Sequence, residues 1–132
     1  MRYLLDTHVL LWILFDKNQL SQKAKTIIKN LDNEIFASVI SYWEISLKYN
    51  IGKLIFENIT PDEIPLKAKQ IQISTLNLSE YDVSTFYKLP RLEHKDPFDR
   101  LIIWQAINQK IPLISKDRKI KEYKTYGLDY IW

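Results

Sequence analysis

The feature that most constrains this sequence is a short apolar run near its start that ends on an acid and a hydroxyl. With the two polar residues that close it, the run reads Tyr3, Leu4, Leu5, Asp6 and Thr7. A short run that is apolar on both faces predicts a strand buried in the middle of a parallel sheet. Ligands bind beyond the carboxyl ends of such strands, so we expect Asp6 to stand at a binding crevice.

Strand-like and helix-like patterns alternate along the rest of the chain. Further strands are predicted at 34–37, 71–74, 111–115 and 128–132, and helices at 9–15, 22–31, 42–50, 80–87 and 97–107, with a short basic helix after Asp117. Such alternation predicts an α/β fold with a parallel sheet between helices. The length of 132 residues fits one domain, residues 1–132, with one sizeable core.

Composition excludes several classes of protein. The only glycines are Gly52 and Gly127, so the sequence has no glycine-rich phosphate loop. The absence of cysteine excludes disulfides and thiolate zinc sites and favours a reducing cytoplasm. No apolar run approaches the ~20 residues of a membrane helix, so we expect a cytoplasmic protein without membrane contact. A net charge of +3 is compatible with an anionic partner.

Four carboxylates, those of Asp6, Glu44, Asp99 and Asp117, fall at predicted strand-to-helix junctions, which share one edge of a parallel sheet. Each acid alone is also explained by helix capping, since Ser41 and Glu44 have capping-box spacing. Jointly, however, a like-charged pair at 4 Å costs about 4 kcal/mol at an effective dielectric of 20, whereas a cap returns only ~1 kcal/mol. The cluster therefore predicts a hard divalent cation, Mg²⁺ or Mn²⁺.

A cation at an open sheet edge without a nucleotide loop points to hydrolysis of a phosphodiester by a metal-activated water. The basic run beside Asp117 could hold a phosphate backbone. It comprises Lys116, Arg118, Lys119, Lys121 and Lys124. A solvated helix face explains the same run equally well.

The chain resembles the PIN domain family and, more closely, the VapC-type toxin ribonucleases of bacterial toxin–antitoxin modules. The resemblance rests on four ordered blocks, at residues 4–8, 41–45, 94–102 and 114–117. It implies a metal-dependent endoribonuclease built as a three-layer α/β/α sandwich around a parallel sheet of about five strands. It also implies an RNA substrate, a cognate VapB-type antitoxin and a homodimer.

The resemblance carries the catalytic and metal-binding roles onto Asp6, Glu44, Asp99 and Asp117. Thr7 is expected to orient Asp6, and Ser115 stands where the family often has threonine. Asp96 matches the family's Asp-Pro-Phe-Asp block, although its position before Pro97 favours a helix N-cap. His8 is expected to be a structural histidine, and His94 to contact phosphate.

Two other classes of function stay open at this point. A catalytically silent PIN-like module could bind RNA or a protein, although such a module has no reason to keep mutually repelling acids. A phosphoacceptor, either a receiver domain or a haloacid-type phosphatase, would also place an Asp after the first strand. The chain lacks the second Asp of the phosphatase pattern after Asp6, and no paired acids precede it as in a receiver.

Overall fold

The centre of the molecule is a five-stranded parallel sheet. The computed structural model describes residues 1–132, and its strands are β1 (Arg2–Leu5), β2 (Glu34–Ser38), β3 (Ile73–Leu76), β4 (Leu113–Ile114) and β5 (Tyr130–Ile131). Their order is β3-β2-β1-β4-β5, and every neighbouring pair is parallel. The sheet confirms the predicted α/β class, and β1 is its central strand.

Helices connect the strands and cover both faces of the sheet. They are α1 (Thr7–Phe15), α2 (Gln22–Lys29), α3 (Val39–Asn50), α4 (Ile64–Gln70), α5 (Glu80–Ser84) and α6 (Pro97–Gln109). Short 3-10 segments occupy 17–19, 61–63 and 86–88, and a longer one occupies 118–126. No helix is both long enough and apolar enough to span a membrane.

Side chains of β1 alternate between two hydrophobic cores, because successive residues of a strand point to opposite faces. Leu5 belongs to a core that includes buried residues of α1, α2 and α4. Leu4 belongs to a second core, which includes buried residues of α6 and of the 118–126 segment. Both leucines are fully buried. These two cores confirm the three-layer α/β/α sandwich.

The strand order creates a crevice between β1 and β4. From β1 the chain proceeds to β2 and β3 on one side, whereas β4 and β5 lie on the other. Leu5 pairs with Ile114, so the residues that follow these two strands emerge side by side at the carboxyl edge of the sheet. Crevices at such reversals of strand order are where ligands bind in α/β folds, and Asp6 and Ser115 flank this one.

The predicted capping box of Ser41 and Glu44 is wrong, because α3 begins three residues earlier. Its N-cap is Ser38, whose hydroxyl oxygen accepts a hydrogen bond from the Ile40 amide at 3.0 Å. The same buried hydroxyl donates to the side-chain oxygen of Gln105 in α6. Ser41 therefore lies inside α3, and Glu44 lies in the second turn rather than the first.

Other boundaries also differ from the sequence prediction: α2 and α5 end earlier, at Lys29 and Ser84, and β4 and β5 span only 113–114 and 130–131. The third strand spans 73–76 instead of 71–74, because α4 continues to Gln70 and the left-handed conformation of Gln72, at φ 66°, turns the chain before the strand begins. The basic segment after Asp117 is a 3-10 helix, which Asp117 caps by accepting a hydrogen bond from the Lys119 amide at 3.0 Å.

We predict that Ser38→Ala destabilises the protein more than Ser21→Ala. Ser21 caps α2 through one hydrogen bond with the Ala24 amide, and its removal should cost about 1 kcal/mol. Ser38→Ala also leaves the buried Gln105 oxygen without its donor, so its cost should reach about 2–3 kcal/mol. Urea unfolding followed by circular dichroism measures both values. Equal losses would show that the contact between β2 and α6 adds nothing.

Candidate active site

Asp6 is a buried carboxylate fixed by hydrogen bonds at the end of β1. Its side chain accepts from the Ser115 hydroxyl at 2.6 Å and from the Thr7 amide at 2.9 Å. The Nδ1 atom of His8 lies 3.5 Å from the same oxygen that Ser115 contacts. These contacts stabilise the carboxylate without neutralising it with a lysine or an arginine.

Hydroxyl groups connect the elements that carry the acids. The Thr7 hydroxyl donates to the Ser41 hydroxyl at 2.9 Å, which joins α1 to α3. Only the main chain of Thr7 contacts Asp6, so the predicted orienting effect does not involve its side chain. Ser115 connects Asp6 to the main chain of Asp117, because its hydroxyl oxygen also accepts a hydrogen bond from the Asp117 amide at 3.1 Å.

Glu44 enters the site from the second turn of α3 and is 3% exposed. One of its oxygens pairs with the ammonium of Lys48, one helical turn later. Burial alone would lower the pKa of Lys48, but the hydrogen bond and charge of Glu44, with the charges of Asp96 and Asp99, outweigh burial and raise this pKa. The other oxygen of Glu44 is buried without a hydrogen-bond partner.

Asp96 and Asp99 stand at the start of α6. Asp96 is the N-cap predicted from the sequence, and one of its oxygens accepts from the Phe98 amide at 2.8 Å and the Asp99 amide at 3.2 Å. Carboxylate oxygens of Glu44, Asp96 and Asp99 lie within 4.8 Å of one another. The N-cap position of Asp96 therefore does not exclude it from the acidic cluster.

Asp99 experiences the strongest effect of this crowding. Burial, followed by the charges of Asp6, Asp96 and Glu44, raises the pKa of Asp99 from 3.8 to about 8. A carboxyl group with this pKa is largely protonated at neutral pH unless a cation compensates its charge.

Asp117 lies on the other side of Asp99, where a histidine joins the acids. One oxygen of Asp117 lies 2.7 Å from Nε2 of His94, and an oxygen of Asp99 lies 3.3 Å from the same nitrogen. These three residues form a second group of ligand atoms within 4.8 Å of one another. The sequence placed His94 beside the acids, but its local pattern could not reveal that the ring is buried.

The structure thus brings the four predicted acids to one edge of the sheet, in two overlapping groups. Asp99 belongs to both groups, Glu44 to one and Asp117 to the other. Asp6 belongs to neither group. Among the neighbouring charges, however, that of Asp6 has the largest effect in raising the pKa of Asp99.

A basic and aromatic surface borders the acids. Lys116, Arg118 and Lys119 are exposed. An open cavity of about 350 Å³ is lined by His8, Trp12, Lys116 and Asp117. The Lys116 ammonium lies 5.7 Å from the centre of the Trp12 ring. The sequence predicts a helix over 9–15, and the apolar neighbours of Trp12 in that helix give no sign of a binding role.

The cluster has the chemistry of a site for a hard divalent cation. Such cations prefer carboxylate oxygens and retain several waters. The unpartnered oxygen of Glu44 is consistent with this interpretation, because a buried carboxylate oxygen normally has a hydrogen-bond donor or a cation. The residues present therefore fit a bound metal ion.

Comparisons with known proteins identify the family. A family model of the PIN domain matches residues 3–125, and the chain belongs to this family. It is 27% identical over 121 residues to ribonuclease VapC22 of Mycobacterium tuberculosis, covering 92% of this chain and 91% of that protein. Membership of the PIN family excludes the two phosphoacceptor alternatives.

Solved structures show the same fold. A chain of VapBC-1 from nontypeable Haemophilus influenzae aligns with a TM-score of 0.70 and 21% identity, covering 99% of this chain and 97% of that one. A chain of VapBC2 from Rickettsia felis, solved bound to a DNA fragment from their promoter, aligns with a TM-score of 0.67 and 18% identity, covering 99% and 98%. Both alignments span nearly the whole sandwich.

We predict that Asp99→Asn stabilises the metal-free protein increasingly as pH rises. Between pH 3.8 and about 8 the folded wild type keeps a proton on Asp99 that the unfolded chain releases. The folded state then binds more protons, so its stability falls with rising pH. Asparagine does not titrate, so the variant lacks this loss of stability. The stability difference between variant and wild type should therefore grow across this interval and level off above it.

Urea unfolding at a series of pH values, with a chelator present, measures this difference. Asp32→Asn is the matched control, because Asp32 is exposed and precedes β2 at the opposite edge of the sheet. A pH-independent difference for Asp99→Asn would contradict the raised pKa.

Proposed function

We propose that this protein is a Mg²⁺- or Mn²⁺-dependent endoribonuclease, the toxin component of a VapBC-type toxin–antitoxin system. The observation that supports this most is the crowding of carboxylates around Asp99, whose oxygen lies within 4.8 Å of those of Glu44 and Asp96. Burial and the neighbouring charges raise the pKa of Asp99 to about 8. A module that only binds RNA or protein gains nothing from this arrangement, whereas a bound cation would offset the repulsion. The similarity to a ribonuclease over 92% of the chain supports the same activity.

Each acid has a defined task in this proposal. Asp99 would hold a cation together with Glu44 in one group or with Asp117 in the other, and Asp6 contributes charge from the central strand. Ser115 fixes Asp6 and the Asp117 main chain together, and Asp96 adds a carboxylate while capping α6. A divalent cation held there would activate a water for attack on phosphorus and offset charge on the leaving oxygen.

The border of the site supports RNA as the substrate. Lys116, Arg118 and Lys119 can neutralise backbone phosphates. The cavity beside them has an aromatic wall, Trp12, against which a nucleobase of a single-stranded segment could stack. His8 also lines this cavity, with its ring centre 4.8 Å from that of Trp12, so its role combines the structural contact with Asp6 and a place in the substrate surface.

A VapB-type antitoxin and a second copy of the chain are the proposed protein partners. Support for the antitoxin comes from the VapBC complexes that share the fold. Support for the homodimer comes from an exposed apolar stripe on α3, formed by Val39, Trp43 and Leu47. The cytoplasmic location and the single-domain organisation over residues 1–132 stay predictions.

We predict that purified protein cleaves single-stranded RNA only with Mg²⁺ or Mn²⁺ present, and that EDTA stops cleavage. Asp99→Asn and Glu44→Gln should each lower the cleavage rate by about 100-fold or more, because each removes a charge that holds the cation. Gel analysis of labelled RNA measures the rate, and Asp32→Asn is the charge-matched control at the remote edge. Cleavage that persists in EDTA would contradict the metal mechanism. If the folded wild type neither cleaves RNA nor binds Mg²⁺, the silent PIN-like module is the better explanation.

We also predict that replacing Lys116, Arg118 and Lys119 by glutamine weakens RNA binding and flattens its dependence on salt. Three phosphate contacts to a single strand should contribute about 2 units to the slope of log affinity against log salt concentration. Fluorescence anisotropy with labelled RNA and a chelator measures binding without cleavage. Glutamine at three exposed lysines elsewhere, Lys23, Lys53 and Lys69, is the control. An unchanged slope would show that the basic run is only a solvated face.

A further inference from the structure

His94 is the one histidine in the two groups of acidic residues, and its environment is unusual for a structural histidine. The side chain is 9% exposed, and Nε2 lies 2.7 Å from Asp117 and 3.3 Å from Asp99. Neither contact has the geometry of a hydrogen bond, so Nε2 is a buried polar atom without a partner. Buried nitrogens of this kind are rare, because the loss of hydration is not repaid.

The loop that carries His94 is held in place from several sides. The Tyr123 hydroxyl donates to the Pro90 carbonyl at 3.1 Å, and Arg100 donates to the Leu89 carbonyl at 3.2 Å. Leu89 itself is buried in the second core. The loop is therefore fixed at its start, and next to His94 the Glu93 amide donates to the Glu122 carboxylate at 3.4 Å. Such support favours a preorganised ligand.

We propose that Nε2 of His94 is a direct ligand of a divalent transition-metal ion, such as Mn²⁺, held together with Asp99 and Asp117. This inference rests on the proposed function and assigns a mixed nitrogen and oxygen environment to its metal. Ligands that bind one ion at about 2.1 Å lie at most about 4.2 Å apart. The three ligand atoms lie within 4.8 Å of one another, so small side-chain rotations bring them to one ion.

An imidazole ligand changes which metal ion the site prefers. Mg²⁺ prefers oxygen ligands, whereas imidazole favours transition metals. The group formed by Glu44, Asp96 and Asp99 offers only oxygen and would accept either kind of ion. The position beside His94 should therefore select Mn²⁺ over Mg²⁺, and replacement of His94 should reduce this selectivity.

Electron spin-echo spectroscopy of bound Mn²⁺ tests the proposal, because a coordinated imidazole nitrogen modulates the Mn²⁺ signal. The sequence contains only two histidines, so two variants assign the nitrogen. Nitrogen modulation should be present in the wild type, lost in His94→Gln and kept in His8→Gln. His8 is the matched control, because it also contacts an acid of the site, but its Nε2 already accepts a hydrogen bond from the Lys116 amide at 3.3 Å.

Equilibrium binding provides a second measurement. His94→Gln should weaken Mn²⁺ binding by about tenfold or more, the effect expected when a metal loses a supporting group, while Mg²⁺ binding changes less. Circular dichroism verifies that the variant is folded. If His94→Gln does not fold, wild-type protein labelled with ¹⁵N-histidine is measured instead. A coordinated histidine must then change the modulation frequencies of the Mn²⁺ signal. The same labelled measurement on His8→Gln separates the two histidines.

The outcomes distinguish this inference from the proposed function. Bound Mn²⁺ without nitrogen modulation, or modulation that persists in His94→Gln, overturns the role of His94 and leaves the nuclease intact. Protein that binds no Mn²⁺ and cleaves no RNA overturns both.

Discussion

Electrostatic repulsion at one edge of the sheet is the constraint on which the rest of this structure depends. The fold compensates each charge differently: hydrogen bonds stabilise Asp6, Lys48 pairs with Glu44, and His94 contacts Asp117. Asp99 also lies 3.3 Å from His94, but burial and the neighbouring carboxylates outweigh the charge of Lys48 and raise the pKa of Asp99 to about 8. The site is thus unfavourable by itself and becomes favourable when a cation or a proton reaches Asp99.

The surrounding sandwich has to hold these groups in place against that repulsion. Two hydrophobic cores on opposite faces of β1 fix the strand that ends at Asp6. Buried hydroxyl groups then join separate elements of the fold. The Thr7 hydroxyl contacts Ser41 between α1 and α3, and the Ser38 hydroxyl contacts Gln105 between the end of β2 and α6. Polar contacts of this kind fix the relative positions of elements that apolar packing alone would leave adjustable.

Local pattern predicted the central strand, the N-cap at Asp96 and the convergence of the acids, because these follow from burial and parallel topology. The predicted start of α3 was wrong, because two serines suit its N-cap equally well by local pattern and a tertiary contact favours one of them. Ser38 and Ser41 both suit the start of α3, and only the contact of Ser38 with Gln105, 67 residues away, favours the first. The burial of His94 and the position of Trp12 beside Lys116 were beyond prediction for the same reason, since both depend on distant segments.

The hydrogen bond between Ser115 and Asp6 spans 109 residues of sequence, and β1 pairs with β4 across a similar separation. Closing so long a loop is slow and entropically costly compared with local pairing. A chain that ends before residue 113 lacks one neighbour of its central strand, the Ser115 hydroxyl that fixes Asp6 and the carboxylate of Asp117. The complete candidate site therefore requires residues 113–117, and shorter partial products carry the acids of the first three blocks without Ser115 and Asp117.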